Sequence, residues 1–295
     1  MQNIPLPSSI RVSGNAEMSN ILAAINHLKS PSYDTKVSFD FSNVDWFSAE
    51  MTTFLGMEIR RLQDQGYKVY TTKMRSHIRL ILDKNGFTER LLHNPRKEDV
   101  FATTIPYVEL KSDDVDAINN YISNSVFKKI GNFLTSDTEQ RFKQAIFEIA
   151  DNTHTHSQSN LILMCGQYFP QQRRLAFTIA DNGISIPVNV NNSLTIYDDY
   201  NSKNDTELIN WSMQIGNSTK LVPESGLGLF DIMETMKRLG ELTVISNYGY
   251  WKMTSEGTRI RRYLCFPLHG TLIHFNFLLE QSAASDFNDS NNLSF

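Results

Sequence analysis

Apolar positions change period several times along the chain, and each change marks an element. Met18, Ile21, Leu22, Ile25 and Leu28 recur at helical spacing, after which Val37, Phe39 and Phe41 alternate as in a half-buried strand. A second helix is expected from Ser48, in the N-cap position, through Met51, Phe54, Leu55, Ile59 and Leu62 to a stop at Gly66. The strand YKVYTT and the helix HIRLILDKNGF complete a small α/β unit. The stretch HNPRKEDVFATT is polar, contains a proline and has no periodicity, so a boundary falls there. A second unit follows: strand TIPYVEL, a helix marked by Val115, Ile118 and Ile122, a long helix over Thr138–Thr155, strands NLILMCGQYF and RRLAFTIAD, a polar interval, a helix over Leu229–Leu239, and strands to Leu279. The tail QSAASDFNDSNNLSF is too poor in apolar residues to pack and is expected to be disordered. The expected organisation is one unit over 1–95, a linker over 96–103, a second unit over 104–280 and a tail over 281–295.

Composition narrows the functional classes. A chain of 295 residues with 40% apolar and 20% charged residues reads as an ordinary globular protein, long enough for two cores because single cores stop growing near ~250–300 residues. No run of about 18 apolar residues occurs, and the start MQNIPLPSSIRVSGN lacks a basic and then apolar leader, so a cytoplasmic protein with no membrane role is expected. A net charge of -4 carries no basic footprint for nucleic acid. Cys165 and Cys265 both sit in apolar, strand-like runs and are expected to act as small hydrophobes, without a disulfide or zinc site.

The chemistry concentrates in three places. In EQRFKQAIFEIADNTHTHS, Phe142, Ala145, Ile146 and Ile149 form a core-facing stripe, while Glu148, Asn152 and His156 lie four apart along one edge of the same helix. A carboxylate one turn from an amide oxygen suits an Mg-phosphate site, since Mg²⁺ takes oxygen ligands and a carboxylate can orient or deprotonate an attacking group. Taken alone, such a ridge reads as a solvated face. The strand FTIADNGISIP ends in Asp181 and Gly183; a carboxylate at a strand end can accept from an exocyclic amine, and glycine permits close backbone approach, although Asp-Asn-Gly alone is a turn signal. In ESGLGLFDIMETM, Gly226 and Gly228 precede a helix, whose first amides make an anion site for phosphates.

The order and spacing of these pieces resemble the GHKL superfamily, the gyrase, heat-shock chaperone, histidine-kinase and mismatch-repair ATPases. E-x3-N-x3-H is similar to its asparagine box, D-x-G to its first glycine box, SGLGL to its second, and GTLIHFNF to its closing strand; the likeness spans about Thr104–Glu280. The resemblance implies ATP and Mg²⁺ as cofactors, with Asn152 coordinating Mg²⁺, Glu148 as general base, Asp181 on adenine, and Gly226, Leu227 and Gly228 wrapping the phosphates. It also implies nucleotide contacts from His156, Gly183 and Thr271, and an ATP lid over 188–223. Ser218, Thr219 and Lys220 precede the second glycine box, where Lys220 could reach phosphate or serve as an ordinary solvated lysine. Ser185 stands where the first box commonly has a second glycine, which puts the local loop geometry in question.

The run from Lys36 to Thr72, followed by a helix and NGF, resembles a STAS domain of the anti-sigma-factor antagonist type. The best alignment puts Ala49 or Glu50 at the phosphoacceptor position, so Ser48 reads as a cap and not a phosphosite. The expected fold is a two-domain α/β protein: a STAS-like α/β unit, then a GHKL (Bergerat) α/β sandwich with helices on one face of a mixed sheet. The expected function is a cytoplasmic regulatory ATPase or serine/threonine-type protein kinase resembling the anti-sigma-factor kinases, with a regulatory protein partner. The alternative is a non-catalytic, ATP-gated interaction switch. A histidine kinase is the weaker reading, because no heptads of a dimerising hairpin precede residue 104. A homodimer is compatible with the resemblance, since related ATPase domains pair.

Overall fold

The computed structural model describes residues 1–32, 34–155, 157, 159–194, 204–217 and 228–279. The expected tail beyond 281 therefore lies outside the described residues. The amino-terminal unit carries a parallel sheet in the order β1 (Gln2–Pro5), β3 (Lys36–Asp40), β5 (Lys68–Thr72), and a short parallel pair, β2 (Ser9–Ile10) with β4 (Trp46–Phe47). Helices α1 (Asn15–Asn26), α2 (Thr52–Asp64), α3 (Ser76–Lys84) and α4 (Phe87–Leu92) surround it. Strand β3 was expected to be half-buried. It is the central strand, and Ser38 and Asp40 are as buried as Val37 and Phe39. Their polar atoms are matched: Ser38 Oγ lies 2.8 Å from Thr72 Oγ1, and the Asp40 carboxylate accepts from Ser42 N at 2.9 Å and Lys73 Nζ at 2.9 Å.

Ser48 does precede a helical segment, a 3-10 turn over Ala49–Met51 that leads into α2. Its side chain makes no capping hydrogen bond; its Oγ instead accepts from Trp46 Nε1 at 3.3 Å. The turn is held by Thr52 Oγ1 and Thr53 Oγ1, which donate to Ala49 and Glu50 carbonyls. Gly66 (φ +94) ends the segment after α2, and Gly86 (φ +85) breaks α3 from α4.

The second unit is a five-stranded sheet in the order β6 (Thr104–Lys111), β7 (Leu161–Phe169), β8 (Arg174–Asp181), β10 (Arg259–Leu278), β9 (Gly240–Met253). All four pairings are antiparallel, which corrects the expected mixed sheet. Short links between β7 and β8 and between β9 and β10 make hairpins; the helical excursion after β6 returns the chain to its antiparallel neighbour β7, while the one after β8 leads to the edge strand β9, with β10 filling the place between them. Helix α5 (Val115–Tyr121) runs on through a π-helical stretch (Ile122–Phe127) into α6 (Lys128–Ile130). It is followed by α7 (Ser136–Thr155), α8 (Ile186–Leu194), α9 (Asp205–Ser212) and α10 (Gly228–Leu239).

Helices do not cover one face alone. Leu175, Phe177 and Ile179 of β8, with Ile273, Phe275 and Phe277 of β10, pack with Phe142, Ile146 and Ile149 of α7 and Ile232 and Met236 of α10. The opposite face presents Leu163, Cys165, Ala180, Ile245 and Leu272, and these share a single core with Phe39, Phe54, Leu55 and Phe87 of the amino-terminal unit. Helix α2 and the 3-10 turn before it lie across β7 and β8. Small residues permit the approach: a Cβ on Gly56 would overlap the Tyr107 hydroxyl. Cys165 is buried as expected, whereas Cys265 is exposed, because β10 alternates there and turns Leu264 inward instead.

The two units also share a buried ion pair. Glu109 on β6, its side chain 2% exposed, receives Arg60 of α2 in bidentate fashion at 2.9 and 2.8 Å, and the Tyr107 hydroxyl at 2.7 Å. Burial alone would raise its pKa; the Arg60 and Tyr107 hydrogen bonds and the Arg60 and Arg90 charges overcome burial and lower it. No helix among the described residues is long and apolar enough to cross a membrane.

Candidate functional site

Between α7 and the helix-facing side of the sheet lies a cleft of about 110 Å³, several times the ~10–15 Å³ that one water requires. Helix α7 supplies Glu148 and Asn152 from one edge, and buries Phe142, Ile146 and Ile149 on the other side of the same turns, so the apolar stripe fixes where the polar ridge points. The carboxyl end of β8 supplies Asp181, and β10 supplies Thr271, its register partner. Ile184, Ile186, Val190 and Ile273 give apolar walls, so the cleft combines apolar surface with a few polar groups.

Asp181 is the best-defined polar group. It is 6% exposed, and Oδ1 accepts the Gly183 amide at 2.8 Å. Burial raises its pKa to about 7, against the lowering effects of the Gly183 amide and the Ser157 hydroxyl. A donor entering the cleft would find an acceptor in a dry site, where a hydrogen bond is worth more than in water. Gly183 has no left-handed φ, so its role is steric: a Cβ would overlap the Ser157 backbone oxygen and side chain, and the Ile184 amide donates to that same oxygen at 2.6 Å. Ser185 likewise lies outside the left-handed region, so no glycine is needed at that point of the turn.

Thr271 Oγ1 lies 2.8 Å from Ser246 Oγ, which donates to the Gly270 carbonyl at 3.0 Å and accepts from the Ile186 amide at 3.0 Å. Gly270 combines φ +101 with an approach so close that a Cβ would overlap the Asp181 carbonyl oxygen. Gly270 and Ser246 were not singled out from sequence; the only local sign was the glycine directly before Thr271.

The structure thus brings Glu148, Asn152, Asp181 and Thr271 to one cleft, with Gly183 against its wall. Gly228 begins α10, whose next residue, Leu229, also lines the cleft. His156, Lys220, Gly226 and Leu227, with Ser218 and Thr219, lie outside the described residues. The polar interval expected as a lid is in part helical, containing most of α8 and all of α9. Helix α9 is started by a capping box between Asn204 and Glu207, a signal legible in N-D-T-E. From it Trp211 and Ser212, with Asn217 just beyond and Asn189 of α8, reach the cleft; none of these was expected. Asn217 Nδ2 donates to the Trp211 carbonyl at 2.9 Å and so fixes the end of that wall. On the opposite sheet face His274 bonds Thr178 Oγ1 at 2.9 Å, and burial, with Arg174 and Lys252, depresses its pKa to about 3. It is a neutral structural histidine and not part of the cleft.

For Mg-ATP the fit rests on donor chemistry. Asp181 is a buried acceptor beside apolar walls, as an adenine edge requires, and Asn152 and Glu148 bring side-chain oxygens to the same cleft. Mg²⁺ in phosphate sites keeps waters and takes few protein ligands. Compared with known proteins, the sequence matches no family model and no curated protein.

Proposed function

We propose that the chain binds Mg-ATP in this cleft and acts as a cytoplasmic regulatory ATPase or serine/threonine-type protein kinase, resembling the anti-sigma-factor kinases, with a STAS-like unit fused in cis to a GHKL-type domain. The observation that carries the reading is the convergence of Glu148, Asn152, Asp181 and Thr271, from three elements distant in sequence, on one apolar-walled cleft. Asp181 would accept from the exocyclic amine of adenine, with Thr271 beside it as its register partner. Asn152 would offer its amide oxygen to Mg²⁺, which would supply neutralisation of charge on the phosphates. Glu148, one turn earlier on α7, orients or deprotonates water or a hydroxyl. Labelled ATP with Mg²⁺ tests the reading: hydrolysis or transfer that Glu148→Ala abolishes while binding persists supports it.

A second reading is a non-catalytic switch, in which nucleotide changes a partner-binding surface. It is favoured by the common core of the two units, which places the amino-terminal unit on the sheet that carries the cleft. A wild-type protein that binds ATP without ever turning it over, alone or with its partner, decides for this reading.

A further inference from the structure

The base-reading end of the cleft is tied to the amino-terminal unit by one long-range hydrogen bond. Asp181 and Thr271 face each other in register at the ends of β8 and β10, and α2 reaches the turn after Asp181. Beside Asp181, Asn182 does not line the cleft; its Nδ2 donates to the Met57 carbonyl at 2.9 Å, across 125 residues of sequence. Gly270 lies on the other turn, directly before Thr271. Glu58, the residue after Met57, is fully buried and accepts from Arg61 Nη2 at 2.7 Å within the same helix. The two turns press on one another, because Gly270 leaves no room for a Cβ against the Asp181 carbonyl.

The aim of Asp181 therefore depends on a helix of the other unit. The Gly183 amide that holds Asp181 Oδ1 is the next residue past Asn182, so a shift of Asn182 moves both the carboxylate and its anchor. We infer that Asn182 is a positioning residue for the nucleotide, through which α2 sets the affinity of the cleft and an occupied cleft tightens the seating of α2. The reciprocity is a thermodynamic requirement once the two are coupled. The inference rests on the Mg-ATP reading of the cleft, and it gives the fused unit a regulatory role: whatever lifts α2 from the sheet weakens nucleotide binding.

The test uses the full chain and Mg-ATP. Calorimetry compares wild type with Asn182→Ala and with Asn182→Asp, which keeps the shape but loses the donor. Hydrogen exchange of α2 amides is followed in all three proteins with and without saturating Mg-ATP. Both variants are expected to bind about 3- to 10-fold more weakly, the worth of one net hydrogen bond, and Mg-ATP is expected to slow α2 exchange in wild type but not in the variants. Wild-type affinity in both variants, or α2 exchange in wild type that ignores nucleotide, overturns the inference and leaves the ATP reading intact. Absence of Mg-ATP binding by wild type overturns both. Should the variants fail to fold, the exchange result in wild type decides alone.

Discussion

Asp181 makes a demand on stability that runs against its role in binding. The ordinary aspartate value of 3.8 is raised to about 7, with burial as the main cause. Between those values the folded protein retains a proton that the unfolded chain has released. Stability is therefore free of penalty below about pH 4, falls as pH rises to about 7, and is constant above. At about 1.4 kcal/mol per pH unit the full penalty is about 4 kcal/mol, an upper figure because buried sites relax and admit water. Asp181→Asn keeps the shape and removes the titration. Its stability relative to wild type, from urea unfolding followed by circular dichroism, should grow by about 2–4 kcal/mol between pH 4.5 and pH 8. Other carboxylates titrate in both proteins and cancel in the difference. The same variant should bind Mg-ATP more weakly by about 1.5–3 kcal/mol, the worth of a hydrogen bond to a charged acceptor. Since the amine donor prefers the ionised carboxylate, wild-type affinity should rise with pH and level off near 7. A stability difference that does not change with pH would refute the assignment of a buried, proton-holding Asp181.

Other consequences are open to measurement. Gly183→Ala forces a Cβ into Ser157 and should cost about 1–3 kcal/mol in urea unfolding, with nucleotide affinity lowered because the Asp181 anchor moves. Glu109→Ala leaves Arg60 without its buried partner and should cost about 3–5 kcal/mol. Because the pKa of Glu109 is lowered, that contribution is present above the unfolded carboxylate pKa and fades as pH falls through the folded one, which a pH series of unfolding curves checks. Glu148→Ala should leave Mg-ATP affinity near that of wild type and abolish turnover of labelled ATP; unchanged turnover removes Glu148 from the chemistry.

Helix α7 was legible because both of its faces obey one period: Phe142, Ala145, Ile146 and Ile149 set its buried side and so dictate where Glu148 and Asn152 lie. Asp181 was singled out through the order and spacing of the GHKL-like boxes, since Asp-Asn-Gly alone reads as a turn. The covering of the second sheet face was not read, although its sign was present. In RLAFTIAD, large Leu175, Phe177 and Ile179 alternate with small Ala176, Thr178 and Ala180, none of them charged, which is the pattern of a strand buried on both faces. What a helix from 100 residues away would lay on that small face is a matter of tertiary fit, and local period carries no record of it. Trp211, Asn189 and Asn217 escaped for the same reason: each reaches the cleft through the placement of α8 and α9, and the polar character of their surroundings reads as loop. The half-buried reading of β3 failed because Ser38 and Asp40 look solvated in sequence, while their partners Thr72, Ser42 and Lys73 come from residues near or beyond the next strands.

Titration calorimetry of the full chain with Mg-ATP, run in parallel on Asp181→Asn, tests the central claim most directly. Saturable heat from one site per chain, with at least a tenfold weaker response in the variant (about 1.4 kcal/mol), is the predicted result. No heat from the wild type, or the same affinity in both proteins, contradicts it.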